Sequence, residues 1–398
     1  MNFRFSERSK HIEGSAIEEI LRYAGDPTII SLAGGNPASE TFPSKELAQI
    51  AREILENEPT LALQYNTPRG YAPLREKMRG RALTHDGAGK DFDELVIVSG
   101  AQQAVELTAK VLCNEGDAVL VEEPSYIGAL NAFRSFNTRL IGVPMREDGV
   151  DMAAMRKAVE ENPDIKIFYT IPSFQNPTGI TMSPEKRKAV YELCAAHDIV
   201  ILEDNPYGEL TFDGTKVPTI KSLDTEGAVV YCNSFSKILA PGLRVGYVVA
   251  HRDLMKKIMD NKQVDDVHTS MLPQLMALEY LNRYDIDAAI LKMRALYRRK
   301  CNVMLDAIET YFPAGVTHTT PNGGLFVWCD LHGSYDTREV AAYCAQRKVV
   351  FVPGSTFMTD MDAPCSAFRL NYSTMSDERI VEGVKLLGGA LKSLLEKG

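Results

Sequence analysis

The 398-residue sequence has no Cys-x-x-Cys pair and no excess of positive charge. Its seven cysteines (Cys113, Cys194, Cys232, Cys301, Cys329, Cys344 and Cys365) are odd in number and widely scattered. That excludes a disulfide framework and points to a reducing compartment. A formal net charge of -9 argues against binding along a nucleic-acid backbone, although it leaves room for a local positive pocket. No apolar run reaches the ~18 residues that a membrane span needs. Met1 to His11 mixes Arg, Glu and Lys without an apolar core, so it does not read as a secretory signal. A cytoplasmic protein with neither membrane nor nucleic-acid partners is expected. Neither G-x-G-x-x-G nor a P-loop follows a strand candidate, which removes the common nucleotide-binding readings. Internal repeats and low-complexity linkers are also missing.

What is present is an ordinary globular balance of 45% hydrophobic and 24% charged residues. At roughly 100–200 residues per domain, the length suggests two or three domains. Short runs rich in β-branched residues recur at Leu95–Val98, Ala118–Val121, Arg139–Val143, Lys166–Ile171, Ile199–Leu202, Val229–Cys232 and Val245–Ala250. Helix-period segments lie between several of them, including Gln102–Leu112 and Pro184–His197. Doubly buried strands alternating with helices predict an α/β domain around a mostly parallel, seven-stranded sheet. The flanks differ. Residues 1–60 read as two helices around the Gly/Pro-rich stretch Gly34–Pro43. A long helical pattern, Asp285–Tyr311, is followed by strand candidates at Gly324–Trp328, Val349–Val352 and Phe368–Leu370. The expected division is residues 1–50 in a small α+β domain, 51–290 in the large domain, and 291–398 completing the small one.

Polar turns at successive strand ends carry the chemistry. Asn233-Ser234-Phe235-Ser236-Lys237 follows an apolar strand and leads into Pro241-Gly242-Leu243-Arg244-Val245-Gly246. Ser234, Ser236 and the fork of Arg244 suit a phosphate, and a neutral lysine beside them can form an imine with an aldehyde cofactor. Ser-x-Ser-Lys alone is an ordinary polar loop; the glycine-spaced arginine strengthens it. Glu203-Asp204-Asn205-Pro206-Tyr207 follows the strand at 199–202. A carboxylate there, Asp204, can hold a pyridine nitrogen protonated, and Tyr207 can donate to a ring oxygen. By itself Asp-Asn-Pro is as readily a plain turn. In Ser173-Phe174-Gln175-Asn176-Pro177-Thr178-Gly179, Asn176 is held extended before proline and offers amide donors to a ring oxygen or a carboxylate.

Other elements are weaker singly. Val98-Ser99-Gly100-Ala101-Gln102-Gln103 reads as strand, glycine turn and helix start, with Ala101 and Gln102 N–H groups open to an anion. Tyr126, in Glu123-Pro124-Ser125-Tyr126, can stack on a flat ring or simply pack. Arg369 sits among apolar neighbours in Phe368-Arg369-Leu370-Asn371 and needs a partner. A substrate carboxylate is one candidate and an internal salt bridge the other. Gly34-Gly35 allows close backbone approach to a ligand, and Tyr65 offers a phenol from a separate loop.

Taken in order, S-L-A-G-G-N-P with F-P, L-Q-Y, S-G-A-Q-Q, E-E-P-S-Y, Q-N-P-T-G, E-D-N-P-Y, N-S-F-S-K, P-G-L-R-V-G, N-G-G-L-F-V-W and F-R-L-N resemble the fold type I pyridoxal-phosphate enzymes, aminotransferase class I/II. Within it the chain is most similar to the branch holding 2-aminoadipate, kynurenine and aromatic aminotransferases. The resemblance runs from about Ser31 to about Ser373; no single motif is decisive, but the ordered set is specific. It implies an aspartate-aminotransferase-like fold and pyridoxal 5'-phosphate as cofactor. By the resemblance Lys237 carries the cofactor and moves the proton, Asp204 pairs with the pyridine nitrogen, Tyr207 and Asn176 meet the ring oxygen, and Tyr126 stacks on the ring. The phosphate falls to Ala101, Gln102, Ser234, Ser236 and Arg244, with Tyr65 reaching across a homodimer. Arg369 and Asn176 grip the substrate α-carboxylate, with Gly35 nearby. One departure is Ala101, where many relatives carry a phosphate-binding serine or threonine. Family members often set specificity before the Gly-Gly pair. Here Ser15–Leu21 contains no arginine, which favours aromatic or aliphatic donors.

The expected reaction moves the amino group of an L-amino acid (aromatic, aliphatic or 2-aminoadipate type) to a 2-oxo acid such as 2-oxoglutarate. The same scaffold also runs eliminations, so a β-lyase is the alternative within catalysis. A non-catalytic effector-sensing protein is the alternative of another class. It would carry a basic helix-turn-helix ahead of the cofactor domain, and the Gly34-Gly35 motif starts too early to leave space for one.

Overall fold

A computed structural model describes the chain except for residues 2, 11–25, 27 and 396–398. The strands, in chain order, are β1 (Ile30–Ser31), β2 (Asp93–Val98), β3 (Ala118–Glu123), β4 (Arg139–Arg146), β5 (Gly149–Val150), β6 (Ile165–Thr170) and β7 (Val200–Asp204). They continue with β8 (Val229–Ser234), β9 (Gly246–His251), β10 (Thr317–His318), β11 (Phe326–Asp330), β12 (Val349–Val350), β13 (Val352–Pro353) and β14 (Ala367–Asn371). The large sheet has the order β2-β9-β8-β7-β6-β3-β4-β5. From β8 through β4 all pairings are parallel, whereas β9 runs against both β2 and β8.

Alternation along each central strand divides the core between two faces. Val119, Val121, Ile167, Tyr169, Leu202 and Val230 pack with Ala104, Leu107, Leu130 and Phe133 from the helices Ala101–Leu112 and Ile127–Arg134. Their neighbours Leu120, Phe168, Ile201 and Val229 pack with Met155, Val190 and Cys194 from Met152–Glu161 and Pro184–Ala196. Helices on both faces require strands apolar on both faces, which is why these runs lack polar alternation. They also leave the polar strand ends and following turns together along one edge, where open α/β sheets bind ligands.

The seven expected strands all belong to this sheet, and an eighth, the two-residue β5, hairpins back on β4. A second sheet, β10-β11-β14-β13, is antiparallel. The run Val349–Val352, expected as one strand, divides: β12 pairs with β1 and β13 with β14. The β1–β12 pair joins the N-terminal part of the chain to the C-terminal part. The long helix spans Ile286–Tyr311, and the Asp285 carboxylate accepts the Ala288 N–H at its start. Of the two helices expected in residues 1–60, Ser44–Asn57 is formed; ahead of the Gly/Pro-rich stretch the described residues hold the short helix Glu7–Lys10, and Ser15–Leu21 lies outside them. No helix among the described residues is long and apolar enough to cross a membrane.

Candidate active site

A cavity of about 380 Å³ lies at the strand ends. Its lining includes Gly35, Ala101, Gln102, Tyr126, Asn176, Asp204, Tyr207, Ser234, Ser236, Lys237, Arg244 and Arg369, all of which sequence analysis had singled out. Tyr65 is not among them: the residue is 79% exposed and its ring meets His268 edge-on at 5.9 Å.

At the inner wall β7 ends in Asp204, which is buried. Tyr169 Oη donates to Oδ2 at 2.9 Å, and Cys232 Sγ lies 3.6 Å from Oδ1. Burial raises the Asp204 pKa to about 6 against the opposing pull of Tyr169, Cys232 and Lys237. Lys237 Nζ donates to the Gly35 carbonyl at 2.7 Å. Burial, then the Arg369 and Arg244 cations, lower its pKa to about 8, with Asp204 opposing. At pH 7 about a tenth of the amine is therefore neutral, far more than for an ordinary lysine near ~10.4.

One end of the cavity is built for an anion. Gly100 takes φ +79°, opening the helix Ala101–Leu112 without a side-chain cap, so its first N–H groups point outward. A Cβ on Gly100 would overlap the Arg244 guanidinium, so only glycine lets that cation close over the turn. Arg244 Nη2 donates to Ser99 O at 3.2 Å and Nη1 lies 3.5 Å from Ser236 Oγ. The Ser234 and Ser236 hydroxyls are 2.7 Å apart. Free helix N–H groups, two hydroxyls and a guanidinium form the donor set of a phosphate site.

At the other end Arg369, from β14, is buried between the rings of Phe326 and Phe357, at 4.3 and 5.0 Å. Its Nη1 donates to Asn176 Oδ1 at 2.7 Å and its Nη2 to Ala33 O at 2.6 Å, while the buried Nε has no partner among the described residues. Because Arg369 can only donate, Asn176 must present its oxygen there, which turns its NH₂ toward Tyr207. The Asn176–Pro177 peptide bond is cis. Burial lowers the Arg369 pKa to about 10, still far above neutrality. Among the described lining residues three cations (Lys237, Arg244, Arg369) face one carboxylate (Asp204), a surplus suited to anionic ligands.

Sequence reading missed Tyr169, Phe326 and Phe357. A phenol on the doubly buried part of β6 was a usable signal for Tyr169. Phe357 comes from the 3-10 turn Gly354–Phe357 and carries no local signature.

An α/β sheet with a lysine, a carboxylate and a phosphate cradle at its strand ends defines an enzyme built around a phosphorylated aldehyde cofactor. The chain belongs to the aminotransferase class I and II family, whose model matches residues 27–387. It is 38% identical to aromatic-amino-acid aminotransferase 1 of Thermococcus litoralis over 99% of this chain and 95% of that one. Kynurenine aminotransferase of Pyrococcus horikoshii, solved with PMP, superposes with a TM-score of 0.93 at 35% identity, covering 98% of this chain and 97% of that one. Alpha-aminoadipate aminotransferase of Thermus thermophilus, solved with N-(5'-phosphopyridoxyl)-L-leucine, gives 0.91 at 37% identity, covering 99% and 98%. The protein is a pyridoxal-phosphate-dependent aminotransferase acting on amino acids and 2-oxo acids.

Proposed function

We propose that this chain transfers the amino group of an aromatic, aliphatic or 2-aminoadipate-type L-amino acid to a 2-oxo acid such as 2-oxoglutarate, with Lys237 as the catalytic amine. The carrying observation is the half-buried Lys237 Nζ, held on the Gly35 carbonyl and within the fields of Asp204 and two arginines. Pyridoxal phosphate supplies a reactive aldehyde and a ring that draws electrons. Asp204 would keep the ring nitrogen protonated, and burial makes that ion pair strong. Asn176 and Tyr207 would donate to the ring oxygen, and Tyr126 would cover the ring face. Ala101 and Gln102 N–H groups, Ser234, Ser236 and Arg244 would hold the phosphate. Arg369, with its unpartnered Nε, would take the α-carboxylate beside Gly35. Lys237 would then carry the proton to and from the substrate Cα.

The donor class follows from what surrounds the rest of the cavity. Ile127, Val352 and Phe357 line it, and no fourth cation does so among the described residues. An apolar or aromatic side chain is therefore the best fit. We further read the active unit as a homodimer in which Tyr65 serves the partner's phosphate site. Tyr65 lies outside its own chain's cavity, and Leu63, Val264 and Val267, close to Tyr65 and His268 in sequence, are exposed. The chain divisions at residues 50 and 290 belong to the same reading, with the Ile286–Tyr311 helix spanning the second.

The test is the visible spectrum of the purified protein with pyridoxal phosphate, for wild type and Lys237→Ala. A lysine-dependent band that bleaches with aromatic or aliphatic amino acids supports the reading. A band that survives in Lys237→Ala removes the lysine from its role, and bleaching by aspartate alone removes the donor class.

A further inference from the structure

The turn that opens the helix Ala101–Leu112 is held from behind by a polar cluster outside the cavity. Ser99 is its hub. The Ser99 N–H donates to Gln103 Oε1 at 2.8 Å, its carbonyl accepts from Arg244, and its hydroxyl donates to Asp266 Oδ2 at 2.8 Å. That hydroxyl also lies 3.1 Å from Thr269 Oγ1. The Gln103 amide donates to Asp265 and Asp266, at 2.8 Å each. Asp266 in turn receives the ammonium of Lys262 at 2.6 and 2.9 Å, and the Lys262 side chain is fully buried.

A buried ammonium is costly unless a carboxylate meets it, and this pair does more than satisfy itself. Ser99 and Gln103 both present donors, so only an acceptor can fix them, and the Asp266 carboxylate accepts from both. Burial works to raise the Asp266 pKa, but Lys262, Gln103 and Ser99 outweigh it and lower the pKa overall. The acceptor thus stays ionised. A lone carboxylate behind an anion-binding turn would repel the anion; Lys262 balances the charge of Asp266 while the hydrogen bonds remain, and the second carboxylate on Gln103, Asp265, stands outside that pair.

We propose that Asp266, paired with Lys262, is a positioning residue for cofactor phosphate: through Ser99 and Gln103 it fixes the Ser99–Gln102 turn that presents N–H groups to the anion. The inference rests on the phosphate assignment made above. It does not involve Lys237 or the ring, so it concerns affinity for the phosphate alone.

The experiment titrates pyridoxal phosphate and pyridoxal, which differ only in the phosphate, into the full chain freed of cofactor, for wild type, Asp266→Asn and Ser99→Ala. Inorganic phosphate serves as a competing probe. The dissociation constant for pyridoxal phosphate should rise about tenfold in both variants, the equivalent of about 1.4 kcal/mol, and inorganic phosphate should compete less well. Pyridoxal affinity should not change. Equal weakening of both aldehydes would mean general damage and overturn the proposal, as would unchanged pyridoxal-phosphate binding in Ser99→Ala. That variant keeps the Lys262–Asp266 pair, so instability of the charge variant does not decide the outcome. If wild type binds both aldehydes equally, the phosphate assignment itself fails, and the inference falls with it for a separately identifiable reason.

Discussion

Replacing Arg369 by lysine keeps the charge and removes the geometry, which makes it the sharpest probe of the substrate end. The guanidinium spends Nη1 on Asn176 and Nη2 on Ala33 O, leaving the buried Nε as an unused donor. A substrate carboxylate would receive that donor together with a second N–H from the same fork. Lysine cannot reproduce the fork or its stacking between Phe326 and Phe357. Losing one charge-assisted hydrogen bond costs about 1.5–3 kcal/mol, and losing the ring contacts about 0.5–1 kcal/mol. The sum, about 2–4 kcal/mol, corresponds to a fall in kcat/KM of about 30- to 900-fold. The assay is stopped-flow bleaching of the cofactor band by an amino acid and, in parallel, by the amine that lacks its carboxylate. Only the amino acid should lose rate, and pyridoxal-phosphate affinity should stay put. Equal losses for both, or a loss below about fivefold, would refute the assignment of Arg369 to the carboxylate.

The remaining expectations concern charge and packing. Burial and the neighbouring arginines lower Lys237 to about 8, and only the neutral amine captures an aldehyde. The capture rate should therefore rise with pH up to about 8 and level above it; a profile still climbing toward the ~10.4 of an ordinary lysine contradicts the site geometry. Asp204→Asn should still bind cofactor through Lys237 but slow the amino-acid half-reaction about 10²- to 10³-fold, read as bleaching rate; undiminished turnover would show that the carboxylate is dispensable. Lys221, fully buried, donates to Asp93 and Asp224 at 2.8 Å each. Lys221→Met should cost about 3–5 kcal/mol in denaturant unfolding with little change in kcat of the folded fraction, and a variant as stable as wild type would contradict the role given to that ion triad.

Much of the large sheet was legible because its strands are buried on both faces, which leaves uninterrupted runs such as Val229–Cys232. The site was legible because its polar residues follow those runs immediately: Asp204 and Ser234 close their own strands, and Lys237 and Asn176 lie a turn or so beyond theirs. Long-range pairing was not. Nothing local in Val349–Val352 says that its first half joins β1 while its second half joins β14. The two-residue β5 is too short to leave a period. Phe357 reaches the cavity only because the 3-10 turn after β13 folds over Tyr126 and its neighbours, with Ser125 N–H bonded to Phe357 O at 2.8 Å. Tyr65 is the converse case: a motif residue clear in sequence, exposed in the single chain, whose proposed role needs a second copy.

The electrostatics of the cavity link anion binding to the state of the lysine. After burial itself, Arg369 and Arg244 are the groups that depress Lys237, and they are also the two cations proposed to take carboxylate and phosphate. An anion bound at either arginine offsets part of its field at Nζ, so filling the cavity raises the proton affinity of the amine. Without ligands a larger share of the amine is in the neutral form that attacks an aldehyde. With both anions seated it is biased toward accepting a proton, which is what removal of the Cα hydrogen requires. Asp204 works in the opposite sense: once a ring cation neutralises it, it no longer raises the proton affinity of Lys237. On the proposed assignment, anions at Arg244 and Arg369 therefore favour the protonated lysine, while a cation at Asp204 favours the neutral one.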